Sequence, residues 1–237
     1  MRKINFKNRK FAITLLSVLF VLCVTVGSTF AALGGTTGEL QNVFTPAKNI
    51  RAALTEPNWN AAEGLKLVPG KTVRKDPMIT NTGRIDEYAA IRLTFLDGND
   101  DPISGTDMVR LLNLLEITWS SKWILCGGTL TSVSGEITAV TQPLVFYYQE
   151  TLTPAQVSDP IFSSIRVKDK ITDAGGNPPA ETDLRWLQGI TVNAAGNIVP
   201  DPDGIGSFRI KVEGAAVQTV GFIDVADAAG TLKSMFP

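Results

Sequence analysis

The chain has 237 residues, 44% of them hydrophobic, with 22 basic and 23 acidic side chains and no histidine. Without histidine there is no His-Glu-x-x-His zinc helix, no usual zinc ligand set and no imidazole base for a serine or cysteine nucleophile. The near-neutral balance and the lack of a basic patch interleaved with aromatics speak against nucleic acid as a partner.

At the N-terminus, Arg2, Lys3, Lys7, Arg9 and Lys10 precede an apolar run from Phe11 to Val26, and small residues follow at Gly27, Ser28, Thr29, Ala31 and Ala32. That order predicts a secretory signal peptide over residues 1–31, cut between Ala31 and Ala32. The alternative is an uncleaved membrane anchor, which needs Phe30 to Leu33 to lengthen the apolar run. With cleavage, a signal peptidase is a partner during export, and the product is secreted, to the extracellular matrix or the cell surface, with no stable membrane insertion. Five of the 22 basic residues and no acidic residue lie in the leader, which leaves 17 against 23 and a net charge of −6. An acidic surface favours solubility and disfavours anionic lipid. Cys23 leaves with the leader, so Cys126 is the one cysteine of the mature chain and an intramolecular disulfide is impossible. Trp123-Ile124-Leu125 before it suggest a buried strand and a core thiol, with an intermolecular disulfide or a reactive thiol as the alternative.

Residues 32–45 begin with flexible Gly and Thr and then present Leu40, Val43 and Phe44. This segment is a candidate donor strand with those three side chains as anchors; the alternative is that Gln41 to Thr55 forms the first strand of its own sheet. Residues 46–237 are long enough for one good-sized core and are expected to form a single domain. Strands are expected at Ile50 to Thr55, Thr72 to Thr80, Ala89 to Leu96, Leu115 to Leu125, Gly135 to Thr141, Leu144 to Glu150, Ile161 to Val167, Ile190 to Val192, Phe208 to Val212 and Val217 to Phe222. Ile91, Leu93 and Phe95 alternate with Arg92 and Thr94, which predicts a strand with one wet face. Thr106-Asp107 reads as the N-cap of a helix with an apolar stripe from Met108 to Leu115, and Val225 to Met235 as a short final helix. Residues 172–205 read as a loop-rich insertion with a hairpin around Trp186 to Val199. The fold class is therefore all-β, an antiparallel sandwich with one or two short helices.

The run from Leu54 to Phe95 alternates strands with turns at Pro69-Gly70 and Asn81-Thr82-Gly83, and Lys75-Asp76-Pro77 breaks or edges a strand. Together with Leu54-Thr55-Glu56-Pro57-Asn58-Trp59-Asn60, Leu67-Val68 and Tyr88, these motifs resemble the TasA/camelysin-like secreted proteins of Gram-positive bacteria. Phe146-Tyr147-Tyr148, Leu152-Thr153-Pro154, Pro160-Ile161-Phe162 and the segment Ile210 to Gly221 extend the resemblance over most of the chain from about Asn42 to Gly221. The resemblance implies a jelly-roll form of the sandwich, a dedicated signal peptidase and a non-catalytic role in a matrix or surface filament. The family's usual start after the cut is an aromatic-Phe-Thr/Ser-Asp run, whereas this chain has Ala32-Leu33-Gly34-Gly35.

Camelysin-like proteins have been classed as metallo-endopeptidases, but the absence of histidine removes the ligands of such a site, so no catalytic residue is expected. Asp97, Asn99 and Asp101 alternate as the oxygen ligands of a calcium loop would, yet Pro102 and Met108 stand where an EF-hand needs Gly and Glu. A solvated turn is the other reading of the same residues. No other cofactor is implied. Trp59, Trp119, Trp123, Trp186, Tyr147 and Tyr148 form either core or a glycan-binding or partner surface. Trp119 and Trp123 are an even number apart, so on one strand both would face the core. Three functions follow: a filament or biofilm-matrix subunit that self-associates, or co-assembles with related subunits, by strand addition; a surface adhesin or accessory protein that holds a glycan, a protein or calcium through loops 97–107 and 172–205; and, as the least favoured, a camelysin-type peptidase of unusual carboxylate type.

Overall fold

The computed structural model describes residues 34–36, 50–64, 68–170, 173 and 178–236. The leader with its cleavage site at Ala31 and Ala32, and the anchors Leu40, Val43 and Phe44, lie outside the described residues. In chain order the elements are β1 (Gly34–Thr36), β2 (Ala52–Thr55), α1 (Ala61–Gly64), β3 (Thr72–Arg74), β4 (Met78–Asn81), β5 (Glu87–Asp97), α2 (Gly105–Leu114), β6 (Leu115–Trp119), β7 (Trp123–Val133) and β8 (Glu136–Tyr148). They continue as β9 (Phe162–Val167), α3 (Glu181–Leu187), β10 (Ile190–Val192), β11 (Ile198–Pro200), β12 (Phe208–Gln218) and α4 (Val225–Ser234).

Among the described residues all the strand pairings are antiparallel. The main sheet has the order β1-β12-β5-β8-β7; a second has β3-β9-β6, and β2-β4 and β10-β11 are two-stranded. The chain is thus mostly strand in antiparallel sheets with a few short helices, and it is sandwich-like. The principal core lies between one face of the main sheet (Ile91, Leu93 and Phe95 of β5, Leu144 and Phe146 of β8) and the smaller sheets (Leu54, Ile79, Phe162, Ile165), with Met108 and Leu111 of α2 closing it.

Several expected strands are divided or joined. Thr72 to Thr80 is two strands in two different sheets, because Pro77 cannot donate to a ladder and the chain turns out of one sheet at Lys75-Asp76-Pro77. Leu115 to Leu125 likewise splits into β6 and β7 of different sheets, so Trp119 and Trp123 share no strand and the parity argument fails. Trp123 is in the core, whereas Trp119 is 36% exposed.

Conversely, Gly135 to Thr141 and Leu144 to Glu150 are one strand, β8, that runs through Pro143. The side chain of Gln142 bridges the interruption. Its Oε1 accepts from Phe95 N at 2.7 Å and its Nε2 donates to Phe95 O at 2.9 Å, supplying β5 with the two bonds of a strand partner. Phe208 to Val212 and Val217 to Phe222 also merge, into β12, which ends at Gln218. Its middle, Gly214-Ala215-Ala216, is small because it is buried, and small residues carry no alternating pattern.

β5 has no wet face. Tyr88 and Ala90 pack with Ala215 and Val217 of β12 and with Ala228 and Leu232 of α4 in a second apolar cluster. Arg92, expected to face solvent, is 8% exposed and forms a two-pronged pair with Glu213 directly across on β12, at 2.7 and 2.8 Å. The final helix makes this possible. Asp224 accepts from Asp227 N while Asp227 accepts from Ile223 N, a reciprocal cap that fixes where α4 starts.

Helix α2 starts at Gly105 after Ser104, so Thr106 and Asp107 lie in its first turn instead of capping it. Trp186, expected in a hairpin, is in α3 and buried; the hairpin is β10-β11 alone. Its indole Nε1 donates to Asp203 O at 2.8 Å, and the Arg110 guanidinium lies 4.4 Å from the ring centroid while its Nε donates to Asp183 at 2.7 Å. The described part of the insertion is therefore docked on α2 by one aromatic and one arginine.

Candidate interaction surface

Strand β1 lies on the outer edge of β12, with Gly34, Gly35 and Thr36 opposite Val217, Ala216 and Ala215. An edge strand presents backbone donors and acceptors that any extended segment can meet, and the two glycines add no side chain to obstruct it. The segment predicted as a donor strand is thus seen, at its first residues, paired with an edge of its own chain. At the other end of the main sheet, β7 is the last strand. Gly128 of β7 has φ 76°, and a Cβ there would sit 2.4 Å from Thr141 O and 2.5 Å from Pro143 O, so only glycine fits this irregular stretch of the ladder.

Between the β7-β8 hairpin and the edge of β6 runs a cavity of about 240 Å³, lined by Trp119, Leu130, Ile137, Glu116 and Lys168 among others. Trp119 is held by Phe146, stacked at 5.5 Å, and by Phe162, edge-on at 5.5 Å. Of the six aromatics singled out in the sequence, Trp123, Tyr148 and Trp186 are core. The polar tips of Trp123 and Tyr148 both reach Asp159: the indole donates to its carbonyl at 3.0 Å and the phenol to its carboxylate at 2.7 Å. Burial, with that hydrogen bond, pushes the Tyr148 hydroxyl up to about 12.

The loop Asp97-Gly98-Asn99-Asp100-Asp101 is a closed turn. Asp97 Oδ1 accepts from Asn99 N at 2.8 Å and from Asp101 N at 2.9 Å. The backbone amides of Asp101 and Asn99 hold the Asp97 carboxyl below the usual carboxylate range. Asp100 pairs with Arg209 across the turn. The structure therefore brings Asp97, Asn99 and Asp101 together around one carboxylate that is already accepting. Among the described residues no group of three His, Cys, Asp or Glu side chains is placed to hold a metal ion. Cys126 is half-buried on the α4 side of β7, and burial pushes its thiol up, with Lys233 opposing.

The motifs of the Leu54 to Phe95 region enclose two buried charge clusters that the reading of turns and strands did not anticipate. Lys75 Nζ donates to both oxygens of Glu56, at 2.6 and 2.8 Å, with both side chains almost wholly buried. Desolvation pulls the Lys75 ammonium below its ordinary range, against the attraction of Glu56. Beside it, Asp76 accepts from the backbone and side-chain nitrogens of Asn58, and Trp59 lies 4.7 Å from the Lys75 ammonium. A Cβ at Gly64 would be 2.4 Å from the Trp59 ring, so the glycine lets α1 close over it. Residues 56–64 are thereby clamped to the strand break at residues 75–77. The signal in the sequence was charge immediately before a proline in two places, Glu56-Pro57 and Lys75-Asp76-Pro77, without any indication that they meet.

The second cluster surrounds Asn81, which is fully buried. Its Nδ2 donates to Ile85 O and Leu152 O, and its Oδ1 accepts from Gly83 N. Glu87 is fully buried too; its Oε1 accepts from Arg51 N at 2.7 Å, and its Oε2 has no partner. Burial pushes the Glu87 carboxyl up to about 7.

Among the described residues no helix is long and apolar enough to cross a membrane. Comparison of the chain with models of known protein families, with curated proteins and with solved structures finds no match.

Proposed function

We propose that the protein is a secreted, non-catalytic subunit of an extracellular or cell-surface filament, built on a jelly-roll form of the sandwich and assembled by strand addition. The observation that carries this reading is the pairing of β1 with the edge of β12. The same backbone bonds form whether Gly34–Thr36 comes from the same chain or from a neighbour, so exchange of the N-terminal segment converts an internal edge contact into an intermolecular one. Leu40, Val43 and Phe44 would follow β1 into the acceptor and supply side-chain specificity. The motif resemblance to TasA/camelysin-like proteins supports the same role, and the lack of histidine supports an absence of zinc peptidase activity.

Electron microscopy of the purified protein, with and without residues 32–44, tests the reading. Fibres are expected from the chain that keeps the segment and monomers from the one that lacks it. Fibres from both, or monomers from both under every condition, overturn strand donation.

A further inference from the structure

We propose that Arg51, Thr82, Gly83 and Arg84 form a binding site for an oxyanion, a carboxylate or a phosphate carried by a ligand. The four residues line a cavity of about 240 Å³ beside the Asn81 cluster. Of the eight described arginines, Arg92, Arg110, Arg166, Arg185 and Arg209 each pair with a carboxylate. Arg51, Arg74 and Arg84 do not, and of these Arg51 and Arg84 converge on one cavity in a chain whose acidic side chains outnumber its basic ones. Asp86, two residues from Arg84, pairs with neither; its backbone carbonyl accepts from Thr219 N at 3.2 Å.

The backbone that carries the two arginines is held from several sides. Arg51 N donates to buried Glu87 at 2.7 Å, and Arg51 O accepts from Thr82 N at 2.8 Å. Gly83 N donates to Asn81 at 2.8 Å, and Asn81 is itself anchored on Ile85 and Leu152. The stems of Arg51 and Arg84 therefore leave a braced turn, while their guanidinium groups and the Thr82 hydroxyl keep their donors unused among the described residues. Guanidinium forks match the oxygens of carboxylate and phosphate in pairs, and bracing of the backbone lowers the entropy lost on binding. Two adjacent, unneutralised cations also repel each other, and a bound oxyanion relieves that repulsion. The site's chemistry does not depend on whether the chain polymerises.

Amide NMR titration of the protein and of its Arg51→Gln/Arg84→Gln variant tests the site. The probes are sodium phosphate, sodium succinate and, as an ionic-strength control, sodium chloride. The expected result is saturable shifts at Arg51, Thr82, Gly83 and Arg84 with phosphate or succinate, absent with chloride and weakened at least tenfold in the variant. Saturation with phosphate alone assigns a phosphate-bearing ligand, and saturation with succinate alone a carboxylate-bearing one. Non-saturating shifts that match chloride, or equal affinity in a variant with an unchanged melting temperature, overturn the site. The two side chains are exposed, so their replacement leaves the core intact.

Discussion

The two faces of the main sheet are built by different means. One face meets the smaller sheets through large side chains, Leu93, Phe95, Leu144 and Phe146 among them. The other mixes alanines, Ala90 and Ala215, with Tyr88, Val145 and Val217 beneath a single helix that contributes Ala228 and Leu232. The first face gains stability from apolar area and interlocking volume; the second gains it in part from close approach of small surfaces. The faces also bury charge in opposite ways. On the helix side Arg92 and Glu213 satisfy one another across adjacent strands. On the core side Glu87, in line with Ala89 and Ile91, has no cation partner and keeps one oxygen bare. A buried charge is tolerated with a partner and otherwise shifts toward its neutral form.

Three measurements break or sharpen this contrast. The largest effect is expected at Phe95→Ala, which removes a wholly buried ring where neighbouring strands cannot collapse; a loss of about 4 kcal/mol in chemical denaturation is the expected outcome. A loss under about 1 kcal/mol would show that this face is not close-packed.

Next comes pH. The Glu87 carboxyl is raised in the fold, so the folded state holds its proton over a range where the unfolded chain, titrating near 4.5, has released it. The Glu87 contribution to stability is therefore full below about pH 4.5, falls by about 3 kcal/mol in total as pH rises to about 7, and is level above that. Denaturant midpoints measured against pH should show this decline in the native chain and lose it in Glu87→Gln. An equal slope in both would place the titration elsewhere.

The smallest effect is expected at Leu232→Ala on α4, about 2 kcal/mol, because a terminal helix over alanines can settle into the space left. If this variant costs as much as Phe95→Ala, the two faces do not differ in the way described.

Much of the large-residue face was legible from the sequence. Ile91, Leu93 and Phe95 alternate, the turns at Pro69-Gly70 and Asn81-Thr82-Gly83 punctuate the strands, and the stripe from Met108 to Leu115 marks α2. Each signal is local, a matter of period or of backbone preference over a few residues. The candidate interaction surface was legible only in part. The N-terminal segment was picked out, and its first residues do meet a sheet edge, but Arg51 and Arg84 carried no signal because neither belongs to a motif. Trp119 and Trp123 misled because a turn of three residues, Ser120-Ser121-Lys122, looked like continuing strand.

The sequence by itself determined the all-β character, the placement of most turns and the absence of histidine chemistry. Those follow from composition and from interactions between near neighbours along the chain. Only the tertiary structure decided that β5 is covered on both faces, that Arg92 meets Glu213 121 residues away, and that Glu56 and Lys75 close a buried clamp. Those outcomes depend on which distant segment arrives over a given face. A polar residue on an alternating strand looks the same in sequence whether water or a helix lies above it.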